Sequence, residues 1–259
     1  MPLLLDRLSV YGEMLAIASE VLVEREVLPL DQFRALLFPR RENETLEREL
    51  LADLGDLGIA AVDEHSLRRA LAPDRATGAA LRLHVLATLR AFEDENAVIL
   101  DLYRFLLEDG SFGRRVLDRD AIWPRFDRHC AAIGGQSVIL NSPKMASWLR
   151  LMTFVGLVRP ERSNTFILAP KLDLLRAMLR SIVGPGGDNL AAVVARIEAL
   201  PATQRSGSLH PGYADALALL ERRVEIGLTT IGDAGGVLLH DRRVTHIALA
   251  ASANAPGEG

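Results

Sequence analysis

His240, Asp241 and His246 are of residue types that bind divalent metals, and on hairpin strands two imidazoles and a carboxylate could converge. Their spacing matches no metal signature, and the chain has no H-E-x-x-H and no paired-cysteine motif, so turn or surface roles are expected. The single cysteine, Cys130, directly follows His129. Neighbours on a helix point about 100° apart, which makes them poor co-ligands. Ser206, Ser208 and His210 supply a nucleophile and a base but no nucleophile elbow. Gly184-Pro185-Gly186-Gly187 is followed by Asp188, whose charge opposes a phosphate, and no G-x-x-x-x-G-K-[ST] loop is present. Carboxylates are abundant, yet no acid/base pair stands out. The sequence predicts no catalytic residue, no metal site and no cofactor.

A second chemistry is carried by cations. Residues 111–180 hold 12 basic and 5 acidic residues, whereas 1–110 hold 12 and 21, and 181–259 hold 6 and 8. The net charge of -4 therefore conceals a positive block between two acidic flanks. Affinity for nucleic acid comes chiefly from local cations meeting phosphates, so a net acidic chain can bind through one basic face. Asn141, Ser142, Lys144, Ser147, Arg150, Arg159, Arg162, Ser163 and Asn164 lie in this block, with Arg114, Arg115, Arg119, Arg125 and Arg128 on the approach.

The elements that must position these residues follow from periodicity. At 259 residues, 49% hydrophobic and 25% charged, the chain is long enough for one to three cores and too apolar for disorder. No internal disulfide framework is available to one cysteine. The three-to-four spacing of Leu5, Leu8, Tyr11 (or Gly12), Leu15, Ala18 and Leu22 predicts a helix over about 3–26. A short helix after Pro29 and a third from Asn43 to Leu57 follow, ended by Gly58. Two short strands around a polar turn at Asp63 to Ser66 and a helix over 75–92 complete this part.

The layout then repeats. Leu51, Leu54, Leu57, Gly58 and Ile59 have the spacing of Leu149, Met152, Val155, Gly156 and Leu157, and Leu71-Ala72-Pro73 matches Leu168-Ala169-Pro170. The stripe, the glycine, the short hairpin and the Leu-Ala-Pro step in fixed order read as a tandem duplication.

These residues resemble the winged-helix family. The resemblance maps 121–130 to its middle helix, 134–141 to the connection, 143–155 to the recognition helix and 158–169 to the wing, with Phe166 to Lys171 running into a closing helix over 171–182. It covers residues 97–180 well and 29–89 less well, because the first wing, Val62-Asp63-Glu64-His65, is short and acidic. The expected fold is mainly α, of the α+β class, with tandem winged-helix domains at 1–93 and 94–183. A small C-terminal α+β domain occupies 184–259, for which a third winged helix is an alternative, ending in a small-residue tail from Ala250.

The resemblance implies a non-catalytic DNA-binding protein: a transcription regulator, or a DNA-binding subunit of a larger complex of the bacterial defence or chromosome-maintenance kind. The helix over 143–155 is expected in the major groove, with Met145, Trp148, Leu149, Met152 and Val155 inward and Lys144, Ser147 and Leu151 outward. Arg150 stands at the edge, Asn141 and Ser142 cap the N-terminus, and Arg159, Arg162 and Asn164 meet the backbone from the wing. Only this central domain is expected to touch phosphate. The acidic first copy, with Glu44, Glu47, Glu49, Asp53 and Asp56, suits a protein partner or a homodimer. The alternative function is a protein-interaction scaffold whose winged helices all contact protein. Charges interrupt every apolar run of the first 30 residues, so neither a membrane span nor a secretory signal is expected, and the cytoplasm is the expected location.

Overall fold

The computed structural model describes residues 4–7, 12–39, 44–93, 95–108, 116–132, 140–162, 164–197, 208–232 and 235–250. The fold mixes helices with small antiparallel sheets, an α+β architecture. In chain order the first group comprises α1 (Gly12–Glu24), β1 (Val27–Pro29), α2 (Leu30–Leu37), α3 (Glu44–Asp56), β2 (Ala60–Val62), β3 (Ser66–Arg69) and α4 (Gly78–Ala91). The second comprises α5 (Val98–Glu108), β4 (Leu117–Asp118), α6 (Arg119–Ala132), α7 (Ser142–Val155), β5 (Val158–Arg162), β6 (Thr165–Leu168) and α8 (Leu172–Ile182). The third comprises β7 (Asp188–Asn189), α9 (Leu190–Ile197), α10 (Pro211–Arg222), β8 (Ile226–Thr229), β9 (Val237–Leu239), β10 (Arg242–Val244) and β11 (His246–Leu249).

The order of elements recurs, and so does the pairing. The three-stranded sheets run β1-β3-β2, β4-β6-β5 and β7-β11-β8, so in each the strand that comes last in the chain lies in the centre. In the third group β9 and β10 form a separate hairpin between β8 and β11. The flanking strands β1, β4 and β7 are two or three residues long, too short for an alternating pattern to reveal.

The step from helix to sheet also recurs. Gly58 (φ 65°), Gly156 (φ 92°) and Val224 (φ 58°) follow α3, α7 and α10 in the left-handed region. Gly58 N–H donates to Gly55 O and Ile59 N–H to Leu54 O; Val224 N–H donates to Glu221 O and Glu225 N–H to Leu220 O, so the two helices close in the same way. Val224 thus holds the position after its helix that Gly58 and Gly156 hold after theirs. A β-branched residue seldom adopts this conformation, which hid the third step from sequence reading.

By its contacts the chain forms two units, 1–99 with 119–156, and 100–118 with 157–259. In the first, Leu28 faces Leu67 across the sheet, and Leu22, Phe33, Leu50, Leu54 and Val85 are fully buried with them. Asp63 shapes the polar turn by accepting from the His65 and Ser66 N–H groups, and these bonds hold its carboxyl below the usual range. The helix expected over 3–26 is shorter. Leu4–Asp6 form a separate 3-10 turn that buries Leu4 and Leu5, and α1 begins at Gly12, where any side chain would overlap Phe154. Leu8 and Tyr11 lie outside the described residues.

In the second unit Phe166, Leu174, Leu175, Leu179, Leu190, Leu220 and Ile247 have no exposed surface. Tyr213 and Tyr103 are buried with their hydroxyls 3.2 Å apart, and Tyr103 also donates to Leu157 O at 3.3 Å. Gly212 sits so close to the Leu168 carbonyl that no side chain fits between α10 and the end of β6.

Candidate nucleic-acid interface

The N-terminus of α7 is capped as expected. Asn141 has extended backbone and its Oδ1 accepts from Lys144 N–H at 3.0 Å, with Pro143 in the first turn. Ser142 Oγ donates to Asp120 Oδ1 and accepts from Arg119 Nη2, each at 3.0 Å, and Arg119 also pairs with Asp120. Those bonds hold the Asp120 carboxyl below its usual range, Arg119 contributing most. This end of the helix therefore already carries a carboxylate.

The outward face of α7 is not outward. Ser147 is only 7% exposed. Its hydroxyl donates to Pro143 O at 3.4 Å and accepts from Arg150 Nη2 at 3.1 Å. Lys144 Nζ stands 2.9 Å from Asp6 Oδ1, with its side chain one-fifth exposed. Ser147 and Leu151 line a crevice with Leu5, Leu15 and Leu57. The helix packs against the Leu4–Asp6 turn and α1 on this side, and against α4 and α6 elsewhere. Ser147 is thus corrected from an outward contact to a core residue, and Lys144 and Arg150 are half-buried beside it. The signal was present in Ala146, Leu151 and Phe154: added to the inward stripe, they leave α7 apolar around most of its circumference, the mark of a buried helix. Trp148, expected inward, is fully buried and donates from Nε1 to Ile99 O at 2.9 Å.

The β5–β6 hairpin, in the second unit, exposes its cations. Val158, Phe166 and Leu168 point inward, while Arg159, Arg162 and Asn164 are exposed. Arg159 reaches Glu161 at 2.9 Å but keeps 66% of its side chain exposed, and the register shifts between Pro160 and Arg162. Of the approach residues, Arg128 is exposed and Arg125 half-buried; Arg114, Arg115 and Ser163 lie outside the described residues. The structure therefore groups Asn141, Ser142, Lys144, Ser147 and Arg150 on one helix of the first unit, and Arg159, Arg162 and Asn164 on one hairpin of the second.

The residues with catalytic or ligand potential take other places. His240 and Asp241 form the two-residue turn of the β9–β10 hairpin, and His240 Nε2 lies 3.1 Å from Asp215 Oδ1. His246 belongs to the other sheet, opposite Thr229 and Asn189. Among the described residues no three His, Cys, Asp or Glu side chains gather as a metal site. Ser208 bridges to Leu238, and Ser206 is not among the described residues. His210 caps α10: it is fully buried, and its Nδ1 accepts from Gly212 N–H at 3.1 Å. Burial pushes its pKa down to about 4, partly opposed by Asp215.

Against known proteins, the chain matches no family model and no curated protein. Among the described residues no helix is long and apolar enough to cross a membrane.

Proposed function

We propose that the protein is a non-catalytic DNA-binding protein of tandem winged-helix type, a transcription regulator or a DNA-binding subunit of a larger bacterial complex, and that its β5–β6 wing makes the duplex contact. The observation that carries this reading is the wing itself, a hairpin with Phe166 and Leu168 buried and Arg159, Arg162 and Asn164 exposed at its tip and edge. The winged-helix assignment is supported by the recurring sheet order with the last strand central. Since Ser147 is buried and Lys144 is paired with Asp6, α7 is assigned a packing role. Contact through a wing alone reads phosphates rather than base edges, so binding should be salt-dependent and little affected by sequence.

The test is fluorescence anisotropy with a labelled duplex across a salt series. Arg159→Glu with Arg162→Glu should weaken binding roughly tenfold or more and flatten the salt dependence by about two counterions. Unchanged binding at low salt would remove the wing from the interface.

A second reading, the scaffold whose modules contact protein, is favoured by one specific arrangement. Arg119 and Lys144, the cations nearest the α7 N-terminus, already hold Asp120 and Asp6. Under that reading duplex retention is absent even at low salt, and the α3 carboxylates provide the contact with a protein partner or a second copy, except Asp53, which is buried and held by Arg7 and so is corrected from a surface contact to a core residue.

A further inference from the structure

Segment charges had left the C-terminal part slightly acidic and outside the phosphate surface. Folding regroups those charges. On α8, Arg176 and Arg180 are one helical turn apart and so share a face. Arg176 grips Glu225 with both nitrogens of its fork, Nη2 to Oε1 at 2.8 Å and Nε to Oε2. Glu225 is fixed by its own backbone, its N–H bonded to Leu220 O and its carbonyl to Ala250 N–H. Arg223 lies two residues before it, across the left-handed Val224. The Arg176 hydrogen bonds lower the Glu225 pKa, and the nearby charges of Arg223 and Arg180 add to the effect. Arg180 and Arg223 are both exposed, and among the described residues neither forms a contact ion pair of its own. Arg176, Arg180 and Arg223 thus all act on the Glu225 carboxylate while Asp173 also acts on Arg176, so three guanidinium groups stand against two carboxylates and the cluster keeps a net positive charge. Val224 is 75% exposed in a conformation that costs a β-branched residue energy, and that turn sets Arg223 and Glu225 on either side of it.

We propose that Arg180 and Arg223, seated on the Arg176–Glu225 pair, form a second nucleic-acid surface that binds the phosphate backbone of duplex DNA, separate from the wing residues Arg159 and Arg162. Planar guanidinium forks match phosphate oxygens two at a time. The Arg176–Glu225 pair anchors the patch and is not itself displaced. This inference rests on the DNA-binding reading but involves none of the wing residues.

The experiment compares the full chain with Arg180→Glu/Arg223→Glu, Arg180→Lys/Arg223→Lys and Arg159→Glu/Arg162→Glu, by anisotropy on one labelled duplex across a salt series. Both arginines are exposed, and unchanged circular dichroism and melting of the variants establish that the fold is intact. The expected result is roughly tenfold weaker binding and a salt slope smaller by about two for the Glu pair, and a smaller loss with an unchanged salt slope for the Lys pair, which keeps the charges but not the forks. If the wing variant loses affinity and the Arg180/Arg223 variant does not, the second surface is overturned and the wing reading stands. If only the Arg180/Arg223 variant loses affinity, the second surface stands and the wing reading fails. Absence of duplex binding by the unmodified chain at low salt overturns both. Retention of poly-glutamate in place of duplex assigns the patch to an acidic protein segment and overturns the inference as well.

Discussion

Lys144 of α7 and Asp6 of the N-terminal turn form an ion pair of 2.9 Å within the first unit. Beside it Arg7 holds Asp53 at 2.6 Å and also bonds Asp56, so consecutive residues tie one short turn to α7 and to α3. Burial, with the neighbouring charges of Asp56 and Glu49, pushes the Asp53 pKa up to about 6 despite Arg7.

Lys144→Ala should therefore change stability more than binding, and neither by much. Asp6 is half-exposed, and pairs of this kind contribute about 1 kcal/mol or less. Urea unfolding and duplex titration of the same variant separate the two effects. A loss of affinity as large as that of the Arg159/Arg162 reversal would return α7 to the interface.

Ser147→Phe forces a bulky ring among Leu5, Leu15 and Leu57. Overpacking of this kind should destabilise the first unit by about 1–3 kcal/mol, visible as a fall in melting temperature. A variant as stable as the parent would mean that this side of α7 is open to water.

His210 gives a pH dependence with a definite sign. Its folded pKa, about 4, lies below the ordinary value of 6.5, so the folded state disfavours the proton. The stabilisation is complete above pH 6.5 and is lost as pH falls from there toward 4, by at most about 3 kcal/mol. Protonation also removes the acceptor that caps α10. His210→Asn keeps a capping oxygen and should abolish this acid sensitivity; persistence of the same pH profile in unfolding experiments would place its origin elsewhere.

At Val224, Val224→Gly should stabilise by up to about 1 kcal/mol, the relief of left-handed strain exceeding the entropy of a glycine. Gly156→Ala, with φ at 92°, should destabilise by about 1–2 kcal/mol. Thermal melts of the two variants moving in the same direction would contradict the shared role of these positions.

Features set by local sequence are the legible ones. The inward stripe of α7, its Asn141 cap and the exposed arginines of the β5–β6 hairpin could be read because each depends on residues within a few positions of one another. Ser147 was misplaced because its surroundings, Leu5 and Leu15, come from more than 130 residues away, and helical period alone assigns only one side of a helix. The third sheet was obscured by a two-residue strand, an inserted hairpin and a valine where the other copies have glycine. The Arg180–Arg223 grouping joins a basic segment to an acidic one, which no tally along the chain could reveal.

The chain passes between its two units three times, after Ile99, Asp118 and Gly156. The recurrence of the three-stranded sheets therefore does not coincide with the division that the contacts make. Cutting the gene after α4 would leave the first unit without α6 and α7, so no single group of recurring elements carries a whole compact unit.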